Sequence, residues 1–228
     1  MSVYVLVHGS SMGGWCWREV ANNLREKNHE VFAPTLTGLG ERAHLANPEV
    51  GLYTHVQDIV GVLECEDLQE VILVGYSYGG MVISGVAEKI PERLSYLVYL
   101  DAHVPKNGQS LNDIRGPDLT RYHMDLIKKG DGWRIPAVSP PPRWQPQPWL
   151  TCTQALEIKN PATVKIPRAF IHPTIRPPDS PLTASMPPLD RAAEEAKANG
   201  WWYREIEAEH GVVFTHPREV ADLLLELT

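Results

Sequence analysis

A serine between two glycines is the residue of this chain whose setting most clearly predicts chemistry. Ser77 stands in the stretch Gly75-Tyr-Ser-Tyr-Gly79, directly after the apolar run Val71–Val74. This G-x-S-x-G pattern between a strand and a helix is typical of the nucleophile elbow, a turn so tight that larger residues at the glycine positions would clash. The turn places the hydroxyl at a helix N-terminus, whose partial positive charge favours an oxyanion. We therefore predict that Ser77 is a nucleophile; the alternative is a plain glycine-rich turn.

Two histidines near the end of the chain could supply the base that such a nucleophile needs. His210 follows the last apolar run and lies well downstream of Ser77, in the order that this motif requires. His216 lies beyond a Val-Val-Phe stretch and directly before Pro217, a position more typical of a helix start. We predict that His210 is the base.

A glycine-rich segment after the first apolar run could stabilise an anion. It contains His8-Gly-Ser10-Ser-Met-Gly-Gly14, and such loops offer main-chain N–H groups to negative charge. We predict that the N–H groups of Ser10 and of Tyr78, the residue after the nucleophile, form an oxyanion hole. A phosphate-binding loop is disfavoured because neither nucleotide-binding glycine motif is present. His8 is interpreted as a structural hydrogen-bonding residue.

Six short apolar runs alternate with helical stretches and must position these motifs. Runs that are apolar at consecutive positions are typical of strands covered on both faces, and long connections between them suit crossover helices. The predicted fold class is therefore α/β, with a mostly parallel six-stranded sheet flanked by helices. The predicted strands are Val3–Val7, Val31–Pro34, Val71–Val74, Tyr96–Leu100, Arg168–Ile171 and Tyr203–Ile206.

The composition changes in the middle of the chain, where 16 of the 20 prolines lie between Pro105 and Pro188. Because a strand pattern resumes at Arg168, we predict a core formed by residues 1–105 and 166–228, with residues 106–165 inserted between two sheet strands as a cap or lid. A flexible linker is the alternative. Three tryptophans of the insertion favour packing against the rest of the protein: Trp133, Trp144 and Trp149.

Composition and charge exclude several classes of function. The chain has 228 residues and a formal net charge of −7, with no basic run, which disfavours nucleic acid and anionic membrane surfaces as partners. Three cysteines without C-x-x-C spacing indicate neither a disulfide framework nor a thiolate zinc site, and we expect no metal and no cofactor. No signal-peptide pattern or membrane-length apolar run is visible, so we expect a cytoplasmic location. The oligomeric state is open, and a homodimer is one alternative.

Three segments together resemble the α/β-hydrolase superfamily: Val7–Trp17, Pro34–Arg42 and Gly75–Met81. In these segments the chain is similar to small bacterial esterases related to the plant methylesterase and hydroxynitrile-lyase group, and the resemblance extends over essentially the whole chain. It implies cofactor-free cleavage of a small to medium carboxylic ester through an acyl-enzyme. In that case Ser77 and His210 occupy two positions of a catalytic triad. The aromatic residues of the insertion could line a pocket, which would favour apolar or aromatic esters, or they could form the core of the cap.

The acid of this triad departs from the family pattern. Most members carry an aspartate shortly after the strand that here begins at Arg168, but the expected position holds Arg176. Asp101 ends the preceding strand, at the sheet edge where sites of such folds lie, while Asp179 follows in the proline-rich loop. We predict Asp101 as the acid, with Asp179 as the alternative.

Three other functions found in this superfamily are alternatives to ester hydrolysis. Plant hydroxynitrile lyases carry a lysine after the catalytic histidine, whereas this chain has Gly211, which favours hydrolysis. Dehalogenases of this fold need an aspartate nucleophile, which Ser77 excludes. A ligand receptor with a weak or degenerate triad stays an alternative, because fold does not determine function.

Overall fold

A parallel sheet runs through the centre of the molecule, and from one edge to the other its strands are Glu30–Phe32, Val3–Val7, Val71–Tyr76, Leu94–Leu100, Arg168–Pro173 and Trp202–Ile206. The computed structural model describes residues 1–139, 141–178 and 186–228. The α/β class and the six-stranded sheet predicted from the sequence are confirmed. The strands are β1 (Val3–Val7), β2 (Glu30–Phe32), β3 (Val71–Tyr76), β4 (Leu94–Leu100), β5 (Arg134–Ile135), β6 (Gln147–Pro148), β7 (Arg168–Pro173) and β8 (Trp202–Ile206), of which β5 and β6 form a separate antiparallel pair.

Helices connect the strands and cover both faces of the sheet. The α-helices are α1 (Arg18–Glu26), α2 (Leu52–Cys65), α3 (Gly79–Lys89), α4 (Leu111–Arg115), α5 (Pro117–Lys129), α6 (Leu150–Thr153), α7 (Met186–Ala198), α8 (Val212–Thr215) and α9 (Pro217–Leu225). Short 3-10 helices are Gly14–Trp17, Gly40–Leu45, Pro91–Arg93 and Pro161–Lys165. Within the described ranges, none of these helices combines the length and hydropathy that a bilayer crossing requires.

The alternation of side chains along the strands explains why the apolar runs are continuous. In β1, Tyr4 and Leu6 belong to the buried cluster shared with α1, α8 and α9, while Val5 and Val7 belong to the cluster shared with α2 and α3. Successive strand residues point to opposite faces, so a strand with helices on both faces must be apolar at every position. The sheet is therefore the middle of three layers.

Helix α3 is buried along almost its whole length, so the turn at Ser77 and Tyr78 that leads into it has a fixed position. A Cβ added at Gly85 would lie 2.4 Å from a methyl carbon of Val56 in α2, so the small residue allows the two helices to approach closely. The helix begins at Gly79 and follows β3 after a two-residue turn. The last residues of β3 and the first residues of α3 are all buried, so the turn between them is anchored at both ends.

Residues 106–165 contain α4, α5, α6 and the β5–β6 pair, and they pack against the sheet layers. Leu111, Ile127 and Leu156 are buried in the same cluster as α2 and α3. Trp144 contacts Trp15, with ring centroids 5.7 Å apart. A packed segment agrees with the tryptophan content of this region, while its role as a cap stays a prediction.

Candidate active site

Ser77 lies on the turn between β3 and α3 in a left-handed backbone conformation, with φ of +55°. A Cβ added at Gly75 would lie 2.7 Å from the main-chain carbon of Gly79, and one added at Gly79 would lie 2.6 Å from the carbonyl oxygen of Val7. Side chains at these positions would force the main chain apart. The two glycines are therefore required by the close approach of β1, β3 and α3 around the serine.

The histidine predicted as the base lies next to this serine. The Nε2 atom of His210 is 3.1 Å from Oγ of Ser77, and its Nδ1 atom is 2.7 Å from Oδ2 of Asp101. Because a carboxylate only accepts hydrogen bonds, Nδ1 carries the proton and the lone pair of Nε2 faces the serine hydroxyl. The Tyr76 hydroxyl donates to the carbonyl oxygen of His210 at 2.6 Å and holds this loop to the end of β3. The arrangement can remove a proton from Ser77.

The structure thus brings Ser77, His210 and Asp101 into one hydrogen-bonded chain, although they come from three separate parts of the sequence. Asp101 follows β4, and its N–H donates to the carbonyl oxygen of Ile171 in β7 at 2.9 Å. This bond and a φ of +41° fix the carboxylate at the carboxyl edge of the sheet. Asp179, the alternative acid, lies outside the described residues.

Arg176, which occupies the position expected for the acid, binds the Asp101 carboxylate with two nitrogens. Its Nη2 donates to Oδ1 at 2.7 Å and its Nη1 to Oδ2 at 3.0 Å. Burial alone raises the pKa of the Asp101 carboxyl, but the hydrogen bonds and charges of His210 and Arg176 outweigh it and hold the pKa below its ordinary value. Asp101 is therefore an anion at neutral pH despite being fully buried.

A second carboxylate balances the charge of Arg176. Its Nε donates to Oδ1 of Asp190 in α7 at 2.9 Å, and His172 contacts the same oxygen at 3.2 Å. The two carboxylates and the guanidinium together leave one negative charge beside His210. The buried charges of this network are thus paired with one another through direct hydrogen bonds next to the His210 ring.

The loop that contains Ser10 passes directly beside the serine. A Cβ added at Gly9 would lie 3.1 Å from Cβ of Ser77. The next residues are held by a buried glutamine of β6, because the Ser11 N–H donates to Oε1 of Gln147 at 2.8 Å. Segment 106–165 therefore helps to position the loop in which an oxyanion-hole donor was predicted.

Tyr78, the other predicted donor, is the residue directly after Ser77, and its side chain is anchored away from the turn. Its hydroxyl contacts Nδ1 of His55 at 2.9 Å, and Nε2 of His55 donates to the carbonyl oxygen of Thr37 at 2.9 Å. Burial lowers the pKa of His55 to about 4, so this histidine is neutral and can accept from the Tyr78 hydroxyl. These contacts fix the peptide that follows Ser77.

A cavity of about 680 Å³ opens onto this arrangement and is lined by Ser10, Ser77 and His210. That volume lies in the usual range for small-molecule sites. Most of the remaining wall is apolar or aromatic and includes Leu119, Tyr122, Leu126, Ile135, Trp144 and Phe214. Among the described residues, no three His, Cys, Asp or Glu side chains are grouped as metal ligands.

Comparison with known proteins assigns the family. A family model described as the alpha/beta hydrolase family matches residues 4–223. The chain belongs to this alpha/beta hydrolase family. A solved structure of an extracellular alpha/beta-hydrolase from a Paenibacillus species, described as sharing structural and functional homology with tobacco salicylic acid binding protein 2, superposes with a TM-score of 0.79. That protein is 25% identical, and the match covers 100% of this chain and 99% of the other.

Two curated relatives of this alpha/beta hydrolase are esterases by name. Over 111 residues, 49% of this chain, it is 55% identical to a carbendazim hydrolyzing esterase of Nocardioides sp. (strain SG-4G). Over 103 residues, 45% of this chain, it is 32% identical to methylesterase 10 of Arabidopsis thaliana. The matches cover 46% and 38% of these relatives, so the chain spans less than half of the length of either.

Three polar residues of the cavity in this alpha/beta hydrolase were not predicted from the sequence. His103, Arg115 and His123 all line the cavity, and each has a buried ring or guanidinium nitrogen without a hydrogen-bond partner. They lie in connections and in α4 and α5, where no motif or spacing marks them. His103 lies beside the turn because its main-chain N–H donates to the Ser77 carbonyl oxygen at 3.1 Å, whereas Arg115 and His123 reach the cavity through the packing of segment 106–165.

Proposed function

We propose that this protein is a serine carboxylesterase that cleaves small to medium, apolar or aromatic carboxylic esters through an acyl-enzyme on Ser77. The observation that carries the proposal is the hydrogen-bonded chain from Ser77 through His210 to Asp101 at the wall of the cavity. The esterase names of the curated relatives support the same reaction class. The apolar wall supports the substrate class.

In the first half of the proposed reaction, Oγ of Ser77 attacks the ester carbonyl carbon while Nε2 of His210 takes the hydroxyl proton. The main-chain N–H groups of Ser10 and Tyr78 stabilise the oxyanion of the tetrahedral intermediate. Asp101 stabilises the imidazolium and keeps the proton on Nδ1. His210 then gives its new proton to the leaving alkoxide, and an alcohol departs.

In the second half, a water molecule takes the place of the alcohol. His210 removes a proton from this water, which attacks the acyl carbon of the ester formed with Ser77. The second tetrahedral intermediate collapses, Oγ of Ser77 is reprotonated by His210, and the carboxylic acid leaves. No cofactor or metal is required by these steps.

We also propose that residues 106–165 act as the cap of this site. The segment supplies Ile135 and Trp144 to the cavity wall, and Gln147 holds the loop next to the nucleophile. The cavity is thus closed on one side by residues that the sheet layers do not contribute. A cytoplasmic location stays a prediction.

Hydrolysis of a short p-nitrophenyl ester series tests the proposed function, with carbendazim as a further compound because the bacterial relative is named for it. We expect turnover by the wild type and a loss of at least about 10³-fold in kcat in Ser77→Ala. Ser95→Ala is the matched control and should retain activity. The Ser95 hydroxyl donates to the Glu70 carbonyl oxygen at the far end of β4.

Covalent labelling identifies the reacting residue independently. An organophosphate should modify Ser77 in the wild type and leave Ser77→Ala unlabelled. Activity that survives in Ser77→Ala would contradict the proposal. A wild type that binds esters in a thermal-shift assay without turning them over would favour a receptor instead.

A further inference from the structure

Among the described residues, no carboxylate forms an ion pair with an arginine of the cavity wall, Arg115. Arg115 is the last residue of α4 and lines the same cavity as Ser77, and its Nε atom is buried without a hydrogen-bond partner. Asp118 is the one carboxylate in the described cavity wall, and it pairs with Arg121 at 3.8 Å. Within the part of the cavity wall that the structure describes, the positive charge of Arg115 is therefore not offset by a carboxylate.

The groups around Arg115 do not offset this charge. The charge of Arg115 adds to burial in lowering the pKa of His103 well below its ordinary value and that of His123 to about 4, so both imidazoles are neutral. Burial raises the pKa of the Cys152 thiol, which leaves that neighbour uncharged as well. Burial lowers the pKa of Arg115 itself, but a guanidinium stays protonated in proteins.

An unpaired cation in an apolar cavity is unfavourable unless a ligand supplies the missing charge. Removing a charge from water costs several kcal/mol, and buried guanidinium groups are normally paired with carboxylates, as Arg176 is here. The planar guanidinium matches a carboxylate with two parallel hydrogen bonds. Because Arg115 shares its cavity with Ser77, the ligand in question is the substrate.

We infer that the preferred esters carry a carboxylate in addition to the ester group, and that Arg115 binds this carboxylate while Ser77 attacks the ester carbonyl. This inference rests on the proposed esterase function and narrows its substrate class. The wall between the two ends includes Leu119, Leu126 and Ile135, so the spacer between carboxylate and ester is apolar. The imidazoles of His103 and His123 belong to the same wall, but their Nδ1 atoms are covered by neighbouring residues, so we assign the carboxylate to Arg115 alone.

A pair of methyl esters of equal shape tests the inference. Monomethyl terephthalate carries a carboxylate opposite the ester, and methyl 4-nitrobenzoate carries a neutral nitro group of the same shape. We measure the ratio of kcat/KM for the carboxylate ester to that for the nitro ester. In Arg115→Met this ratio should fall roughly 10- to 100-fold, as expected for loss of a charged hydrogen-bond pair. The ratio in Arg115→Lys should lie between those of Arg115→Met and the wild type. Arg218→Met removes an exposed arginine of α9 that does not line the cavity, and it should leave the ratio unchanged.

Binding without turnover provides a second measurement that does not depend on the folding of Arg115 variants. In Ser77→Ala, calorimetry should give at least about tenfold tighter binding of monomethyl terephthalate than of methyl 4-nitrobenzoate, with the difference shrinking as salt is added. Equal affinities, or a ratio of kcat/KM that Arg115→Met does not change, would overturn the inference while leaving the esterase function intact. If the wild type hydrolyses neither ester nor any p-nitrophenyl ester, the proposed function fails instead.

Discussion

Buried polar groups have hydrogen-bond partners at the carboxyl edge of the sheet, whereas several in the wall of the cavity have none among the described residues. At the sheet edge the protein itself supplies the partners: Asp101 accepts three side-chain hydrogen bonds, and Arg176 is held by two carboxylates. In the cavity wall several atoms have no described partner, namely Ser10 Oγ, His103 Nδ1, Arg115 Nε and His123 Nδ1. Groups of the first kind are held in one orientation by these hydrogen bonds, whereas atoms of the second kind are buried without a described hydrogen-bond partner.

This difference predicts for which substitutions the change in activity depends on the substrate. Changes at the sheet edge should alter hydrolysis of every ester by the same factor, because those residues act on His210 and Ser77. Changes in the cavity wall should depend on the charge and shape of the ester, as described for Arg115.

The largest effect is expected for Asp101→Asn. An asparagine can donate its amide hydrogens to Nδ1, which moves the imidazole proton to Nε2 and removes the lone pair that faces Ser77. We expect kcat to fall roughly 10³- to 10⁴-fold for all p-nitrophenyl esters alike, a magnitude typical of this change in a triad. Steady-state kinetics with Asp179→Asn as the matched variant checks this. Retained activity in Asp101→Asn together with loss in Asp179→Asn would assign the acid to the later loop.

The next effect concerns stability at acid pH and arises at His8, close to the sheet edge. Its Nδ1–H donates to the Gly9 carbonyl oxygen at 2.8 Å, and its Nε2 accepts from the Leu36 N–H at 3.1 Å, so the ring is neutral. Burial lowers its pKa from 6.5 to about 4. The unfolded chain therefore binds more protons between these values, and the stabilisation present above pH 6.5 is lost as the pH falls to about 4.

For this one histidine the loss amounts to roughly 3 kcal/mol in the free energy of unfolding. Urea unfolding between pH 7 and pH 4.5 measures it, and His8→Gln should reduce the proton uptake on unfolding at pH 5 by about one proton. An unchanged pH dependence in the variant would show that His8 does not titrate in this way.

A smaller effect is expected for Arg176→Met. Removal of the guanidinium leaves the Asp101 carboxylate with fewer donors, which raises its pKa and loosens its contact with His210. We expect kcat to fall roughly 10- to 100-fold with little change in KM, and Arg176→Lys to recover part of the loss.

The two methyl esters distinguish this arginine from Arg115. In Arg176→Met both esters should lose the same factor, and Arg191→Met, which changes an exposed arginine of α7, should lose none. A loss of activity in Arg176→Met that is confined to the carboxylate ester would mean that Arg176 binds substrate. The proposed difference between the sheet edge and the cavity wall would then be wrong.

Much of the fold could be predicted because its causes are local or periodic. The runs around Val3 and Val71 are apolar at every position, which only a strand buried on both faces requires. Strand and helix ends differ from the predicted ones by a few residues, since ends depend on neighbouring elements. Helix α7 was not predicted, because Pro187 and Pro188 near its start interrupt the helical pattern.

The geometry around Ser77 could be predicted for a similar reason. The glycines at positions 75 and 79 are needed by a turn of five residues, so the sequence displays the constraint within one short motif. His210 followed from chain order. The roles of these residues in catalysis remain proposals that the kinetics above will test.

The sequence by itself determined the class of the sheet and the tight turn at Ser77, because buried strands and a serine between two glycines are patterns of a few consecutive residues, while the cap formed by residues 106–165 stays a prediction. Only the tertiary structure decided that Arg176 holds Asp101, 75 residues away, and that Arg115 lines the cavity without a carboxylate partner among the residues described. Charge pairing depends on distances of a few ångström between residues far apart in the chain, and no spacing along the sequence encodes those distances.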